Sequence, residues 1–295
     1  MEYNNFVDMP DYTTRTGRGQ GDVFLFTFDQ HIHCDCSPDS SAPMRVMTEA
    51  ARDHGMDMIL FTDHVDMCDA KTGSVAPYWP GCEEKMTRSR AELLADPPMG
   101  IEVRFGIELG EIHHCPERAE EAASGYEWDM VLGSLHNLRG TMDFYYYPYS
   151  SEAECRELNR RYLAELLEMT EYSCFDVMAH IGYTSRYMMR RGFSERVTAE
   201  LWHDELEALL RRLIEQGRGI EVNTSGIRQG GTFYPEESIL RLYRELGGEI
   251  VSVGSDAHTP SDAGAGIREA REMLRSLGFR YAAAYRRRKP EFNPL

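Results

Sequence analysis

Six of the chain's ten histidines stand where short apolar runs end. His31 and His33 follow Asp29-Gln30 as a His-x-His pair, and strand periodicity puts both imidazoles on one face. His64 follows Thr62-Asp63, His136 follows Ser134-Leu135, His180 closes a run of its own, and His258 ends the stretch Ser255-Asp256-Ala257. Glu108 and Asn223 terminate two further runs. Imidazole nitrogens and carboxylate oxygens are the donors that suit Zn²⁺, Mn²⁺ or Fe²⁺. Two or three such ions held close together can make a nucleophile of water and clamp the oxygens of a displacement reaction. One histidine at a strand end is commonly a hydrogen-bonded structural residue, but six of them beside Glu108 and Asp256 point to a metal site. The other four lack this placement. His54 and His203 lie in helical patterns as surface or capping residues, and His113 and His114 lie in a loop expected to face solvent.

Side chains so far apart in sequence need a frame that gathers them. Short, mostly apolar strand candidates occupy residues 23–28, 58–62, 103–107, 130–133, 176–179, 219–223 and 249–254, the pattern of strands covered on both faces. Helical periodicity fills the intervals at 44–54, 83–94, 152–171, 199–216, 236–246 and 262–277, with Pro43 and Gly55 bracketing the first. The crossover around residues 117–124 is the briefest. This alternation predicts an α/β fold, a distorted (β/α)7 TIM-like barrel forming a single domain over residues 21–295, with residues 1–20 as an N-terminal arm. In such a barrel the C-terminal ends of the strands converge on one face, where active sites of this architecture lie. The basic run Arg286–Lys289 reads as a solvated end.

Composition narrows the partners. A formal charge of −17 argues against a nucleic-acid backbone, whose recognition needs a Lys/Arg surface. An anionic substrate would also be repelled at large, so bound cations or a local Arg pair must reverse the field at the site. No apolar stretch approaches the ~20 residues of a membrane span, and the polar N-terminus lacks the core of a signal peptide. The expected location is cytoplasmic. Seven cysteines without CxxC spacing read as free thiols, Cys34 and Cys36 being loop residues beside the metal site.

The motifs HIHCDCSPDS, ILFTDHVD, FGIELGE, LGSLHNLRG, FDVMAHIGYTSRY, GIEVNTSGIRQGGTFYP and VSVGSDAHTPSDAG, in this order, resemble the PHP (polymerase and histidinol phosphatase) superfamily, and its histidinol-phosphatase branch most. The resemblance implies a trinuclear centre. His31, His33, Glu108 and Asp256 would hold one ion, and Glu108 would bridge to a second held by His136 and His180. Asp39, His64 and His258 would hold a third. One departure is visible: the branch usually reads His-x-Asp after the fifth strand, whereas Gly182 stands in that place here. A carboxylate that could contact an amino group is thereby missing.

Arg186 and Arg228 follow the fifth and sixth strands, and a guanidinium fork matches phosphate oxygens. Their place on the catalytic face and the resemblance make them the phosphate-binding pair, with Asn223 and Ser225 as neutral donors. The implied activity is that of a phosphomonoesterase of the histidinol-phosphatase type, using two to three divalent transition-metal ions (Zn, Mn or Fe) on a small phosphorylated substrate. Asp256 or His258 is the candidate for protonating the leaving alcohol. Two alternatives stay open: another small phosphate ester or a nucleotide as substrate, and a metal-binding module without turnover. The tyrosines 145–147 and 149 would line a lid or form a packed aromatic cluster.

Overall fold

The computed structural model describes residues 25–77 and 79–295, so the arm expected over residues 1–20 lies outside the described residues. Alternating elements run from β1 (Phe28–Ile32) through α1 (Met44–Asp53), β2 (Met58–Asp66), α2 (Trp79–Ala95) and β3 (Glu102–Gly110) to α3 (Pro116–Ser124) and β4 (Met130–Ser134). They continue through α4 (Glu152–Met169), β5 (Val177–Met178), α5 (Tyr183–Arg190), α6 (His203–Glu215), β6 (Gly219–Asn223) and α7 (Ile227–Gly230). The last are α8 (Glu237–Glu245), β7 (Val251–Gly254), α9 (Ile267–Ser276), β8 (Tyr281–Arg286) and β9 (Lys289–Pro294).

Strands β1 to β7 pair in sequence order, every pair parallel. The edges nearly meet: Ile32 bridges Ala257, Asp256 N–H donates to the His31 carbonyl at 2.7 Å, and His33 N–H donates to the Ala257 carbonyl at 2.9 Å. The expected seven-stranded α/β barrel is therefore the observed one.

The surrounding helices each bury one stripe. In α1 it is Met44, Met47, Thr48 and Ala51, and in α6 it is Leu206, Leu209, Leu210 and Leu213. Both follow i, i+3, i+4, i+7. Each leucine removed from water in this way contributes roughly 1.5–3 kcal/mol. Aspartates set the strand starts. The carboxylates of Asp57, Asp129 and Asp176, each just before a strand, accept N–H groups of Thr27, Phe105 and Val131 on the preceding strand or its lead-in, at 2.8, 3.1 and 2.8 Å. Among the described residues, no helix is long and apolar enough to cross a membrane.

Three expectations need correction. The first strand begins at Phe28 instead of spanning 23–28; Leu25 to Thr27 are not strand, and residues 23 and 24 lie outside the described residues. Its buried polar residues, Asp29 and Gln30, are hydrogen-bonded inside the fold, which a reading of apolar runs misses. The helix expected from residue 262 starts at Ile267, after a 3-10 turn at Pro260–Asp262. The run Arg286–Lys289 is the turn of an antiparallel hairpin, β8–β9, under the N-terminal end of the barrel. Arg288 pairs with Asp176 and donates to the Cys174 carbonyl at 2.9 Å, while Arg104 of β3 donates to the Tyr285 carbonyl at 2.7 Å.

Candidate metal centre and phosphate cleft

Parallel pairing places His64 of β2 directly beside Glu108 of β3, deep at the C-terminal end of the barrel. Glu108 is fully buried, and five imidazoles reach it. Its Oε2 stands 3.2 Å from His31 Nε2, 3.5 Å from His33 Nε2 and 3.0 Å from His64 Nδ1. Its Oε1 stands 3.2 Å from His136 Nε2 and 2.8 Å from His180 Nε2. Asp256 Oδ1 lies 3.7 Å from His31 Nε2, 3.3 Å from His33 Nε2 and 3.6 Å from His258 Nδ1. Asp39 Oδ2 closes the outer side, 3.6 Å from His64 Nε2 and 3.0 Å from His258 Nε2. All nine residues expected at the metal site are thus gathered around one point.

The donor set fits metal ions. Two ligand atoms each ~2.0–2.2 Å from a tetrahedral ion stand about 3.3–3.6 Å apart, and the ten pairs here lie at 2.8–3.7 Å, around that spacing. His31 Nε2, His33 Nε2, His64 Nδ1, His258 Nε2 and Glu108 Oε2 are buried without a hydrogen-bond partner of good geometry. Uncompensated burial of so many polar atoms is costly, and a shared ion would satisfy them together.

Neighbouring groups fix which nitrogen faces inward. His31 Nδ1 meets Glu221 Oε1 at 2.6 Å, and His33 Nδ1 meets Ser37 Oγ at 3.0 Å, so each presents Nε2 to the centre. Ser37 is held in turn by Asp63 at 2.8 Å, which also accepts the Cys34 N–H at 2.7 Å and its thiol at 2.9 Å. Glu221 Oε2 accepts the His180 N–H at 3.0 Å. Gly254 leaves room for this contact, because a Cβ there would come within 2.3 Å of His31 Cβ and 2.5 Å of Glu221 Oε1. Asp63 directly follows an apolar run but was passed over for His64 beside it, and Glu221 ends no run. The one signal for Glu221 was an acid inside an otherwise apolar strand.

The electrostatics are those of tightly opposed charges. Burial favours the neutral form of the Glu108 and Asp256 carboxyls, but His64 and His31 beside Glu108, and His31 and His33 beside Asp256, hold both well below the usual range. Burial likewise lowers the His31 and His64 imidazoles, yet Glu221 and Glu108, and Glu108 and Asp66, raise them above their ordinary value. Protons and cations compete for these lone pairs. Burial and the Asp66 charge push Glu111 up to about 8. Backbone strain gathers here too. Glu111, His180 and Asp256 carry φ of 51°, 24° and 54°, a region sparsely used by non-glycine residues.

A cleft of about 280 Å³ opens over this cluster, lined by Arg186, Arg228, Ser225, Tyr183 and Tyr187 among others. Arg186 is buried beside three tyrosines, its guanidinium carbon 5.1 Å from the Tyr183 ring centre and 5.3 Å from that of Tyr234. It donates to Ser225 Oγ, and its Nε has no partner. Arg228 donates to the carbonyls of Ser255 at 2.8 Å and Asp256 at 3.2 Å, beside the metal-type cluster. Asn223 stands behind the cleft, fully buried. Its amide donates to Glu221 and Asp256 at 3.2 and 3.3 Å and accepts from Ser225 N–H at 3.0 Å, so the structure engages it as a brace.

Other placements differ from expectation. His113 and His114 lie in a 3-10 turn, Ile112–His114, with side chains 0% and 2% exposed, not in a solvated loop. Both meet Glu165 of α4, at 2.9 and 3.1 Å, and Glu165 also accepts the Arg139 N–H at 3.2 Å. This junction ties the segments after β3 and β4, which carry Glu111 and His136, to one helix. Tyr149 is packed, donating to the Phe144 carbonyl at 2.9 Å, while Tyr145 is exposed near Tyr187. The seven cysteines are free. Gly182 has φ 93°, and a Cβ built there would face Val197 and Tyr234.

A parallel barrel with a polyhistidine–carboxylate cluster at the C-terminal ends of its strands defines a metal-dependent hydrolase architecture. The chain belongs to the PHP domain family, whose pattern matches residues 29–225. It is 24% identical over 274 residues to the histidinol-phosphatase of Lactococcus lactis, covering 87% of this chain and 93% of that protein. It is 29% identical over 276 residues to a Deinococcus radiodurans protein named "Probable histidinol-phosphatase", covering 88% and 97%. Among solved structures it is similar to the Lactococcus lactis histidinol phosphate phosphatase complexed with zinc, L-histidinol and phosphate. The TM-score there is 0.73 at 23% identity, over 91% of this chain and all of that one.

Proposed function

We infer that this chain is a metal-dependent histidinol-phosphatase, hydrolysing L-histidinol phosphate to L-histidinol and phosphate. The observation that carries the reading is the convergence of six imidazoles on Glu108, Asp256 and Asp39 directly beneath a cleft that presents Arg186 and Arg228. The names of full-length relatives support the substrate.

Two to three divalent ions, Zn, Mn or Fe, would be held by His31, His33, Glu108 and Asp256, by Glu108, His136 and His180, and by Asp39, His64 and His258. Bound there, they supply a nucleophile at neutral pH and Lewis-acid charge against the phosphoryl oxygens. The chain's own residues do the rest. Arg186 and Arg228 present guanidinium donors to the phosphate, compensating the negative surface where the substrate must enter. Ser225, held by Asn223 and Arg186, adds a hydroxyl to the same wall. Of the two candidate proton donors for the departing alkoxide, His258 is partly open to the cleft whereas Asp256 is charged and buried, and His258 can serve in the two-ion form, in which its Nε2 carries a proton in place of an ion.

The test is turnover of phosphate monoesters by the purified, Mn²⁺- or Zn²⁺-loaded chain. Histidinol phosphate should be the best substrate of the panel. Efficient hydrolysis of another ester without detectable release of histidinol would overturn the assignment.

A further inference from the structure

His113 and His114 take no part in the cluster beneath the cleft, although both are held out of solvent. They stand on the short turn after β3, and their Nε2 atoms converge on one oxygen, Glu165 Oε2 of α4, at 2.9 and 3.1 Å. Their ring centres are 4.2 Å apart, so two imidazole nitrogens and a carboxylate oxygen all lie within 4.8 Å of one another. Among the described residues, none of the three side chains pairs with a residue of the metal-type cluster; their partners are one another, Cys68, Arg139 and Arg161.

The surroundings hold these groups as ligands are held. Cys68 Sγ stands 2.9 Å from His114 Nδ1, and when it accepts that N–H the Nε2 lone pair faces Glu165 and His113. His113 Nδ1 is buried without a partner, so no group on that side fixes the tautomer, and burial favours the neutral, ligating imidazole. The Arg139 N–H bridges both oxygens of Glu165, at 3.3 and 3.2 Å, and Arg161 stands 3.8 Å from Oε1 on the outer side, which leaves Oε2 turned to the imidazoles. The nearby Glu168 is taken up by the Arg139 guanidinium in two contacts of 2.6 Å.

Two imidazoles and one carboxylate are a donor set for Zn²⁺, with the fourth position left to water. Donors around a tetrahedral ion stand about 3.3–3.6 Å apart, so Glu165 need withdraw by only a few tenths of an ångström. Its side chain is 11% exposed, which gives it room to move and an ion a way in.

We propose that His113, His114 and Glu165 bind a divalent transition-metal ion of the zinc type, separate from the ions of the catalytic cluster and structural in effect. Without the ion, two N–H···O bonds hold the junction; with it, three coordinate bonds take their place. The turn after β3 and, through Arg139, the segment after β4 are then pinned to α4. Those segments carry Glu111 and His136, so the ion stiffens the support of the cluster without touching substrate. The site does not depend on the phosphatase reading above.

The test counts zinc. The full chain is loaded with excess Zn²⁺, passed through gel filtration and analysed for metal and protein. Wild type should retain about one equivalent more than either His114→Gln or Glu165→Gln. The same difference should separate His31→Asn from the double variant that adds His114→Gln, because the cluster is already damaged in both. Equal zinc in wild type and the two single variants would overturn the site. So would a difference that vanishes in the His31→Asn background, since the lost ion would then belong to the catalytic cluster. Should the variants fail to fold, anomalous scattering at the zinc edge from zinc-soaked wild-type crystals decides. A peak between His113 Nε2, His114 Nε2 and Glu165 Oε2 supports the site, and its absence overturns it.

Discussion

Glu221 touches no cleft, yet its substitution should be felt in metal affinity. Its Oε1 holds His31 Nδ1 at 2.6 Å and its Oε2 accepts the His180 N–H at 3.0 Å, so one carboxylate orients two candidate ligands. Glu221→Gln is isosteric but has one acceptor where two are needed. If the amide oxygen faces His180, the NH₂ group faces His31 Nδ1 and forces its proton onto Nε2, the atom aimed at Glu108 and Asp256. If the amide turns the other way, its NH₂ opposes the His180 N–H. Either way one buried, charge-assisted hydrogen bond is lost, worth about 1.5–3 kcal/mol. Carboxylates behind metal-bound histidines contribute 10–100-fold to affinity, or about 1.4–2.7 kcal/mol at 1.36 kcal/mol per decade. The two routes agree. Competition with a chromophoric chelator should therefore show Zn²⁺ binding weakened by one to two decades, with kcat reduced once the site is refilled. Thermal unfolding of the chelator-treated protein separates this from global damage. Metal affinity equal to wild type in a folded Glu221→Gln protein would refute the reasoning.

Chelation should abolish phosphatase activity and Mn²⁺ or Zn²⁺ should restore it; full activity in protein shown by elemental analysis to be metal-free would remove the metal from the reaction. Arg228→Ala should lower kcat/KM for every phosphate ester by roughly 1.5–3 kcal/mol, the worth of a charged hydrogen bond, and steady-state kinetics with unchanged efficiency would exclude it from phosphate recognition. Gly182→Asp should destabilise by about 1 kcal/mol, because φ 93° disfavours any side chain, and should not raise the kcat/KM ratio of histidinol phosphate over an uncharged phosphate ester, because its Cβ faces Val197 and Tyr234; a rise in that ratio would contradict this. Burial raises the Glu165 carboxyl, but hydrogen bonds from His113 and His114 bring it down to about 2. A depressed carboxylate stabilises above its unfolded value and loses that contribution as pH falls through its folded value, so Glu165→Gln should cost about 1–2 kcal/mol near neutrality, after allowing for partial solvent screening, and progressively less as pH falls toward and below about 2. Melting temperatures of both proteins across that range check the convergence.

The barrel was legible because its signals are local: seven apolar runs spaced by amphipathic helices allow few other frames. The imidazoles were legible because histidine at successive strand ends is rare enough to be informative. The boundaries of β1 and β3 were not, since Asp29, Gln30 and Glu108 are polar residues inside strands, stabilised by partners far away in the chain. Gln30, for one, donates to the Ala283 carbonyl at 2.6 Å. The hairpin made from Arg286–Lys289 was hidden for the same reason: a basic run looks solvated until Asp176 and Asp129 are placed opposite it. Asn223 shows the limit for site residues. Its position at a strand end was informative, but only the geometry separates a group that faces the cleft from one that braces Ser225 and Asp256.

The strain at the site links stability to occupancy. Glu111, His180 and Asp256 all hold left-handed backbone, at about 1–3 kcal/mol each. Asp256 is turned that way by the bond from its N–H to the His31 carbonyl, the same contact that brings the β7 edge to β1. The barrel therefore nears closure by adopting the conformation that aims Asp256 at His31 and His33. Unpaired buried nitrogens at that junction add to the cost, and no apolar packing offsets them, because their neighbours are other imidazoles: the His33 and His258 ring centres are 4.0 Å apart. A cation shared among these lone pairs relieves both penalties, so its binding free energy becomes folding free energy. Closure of the β1–β7 seam and assembly of the metal centre are on this reasoning one event.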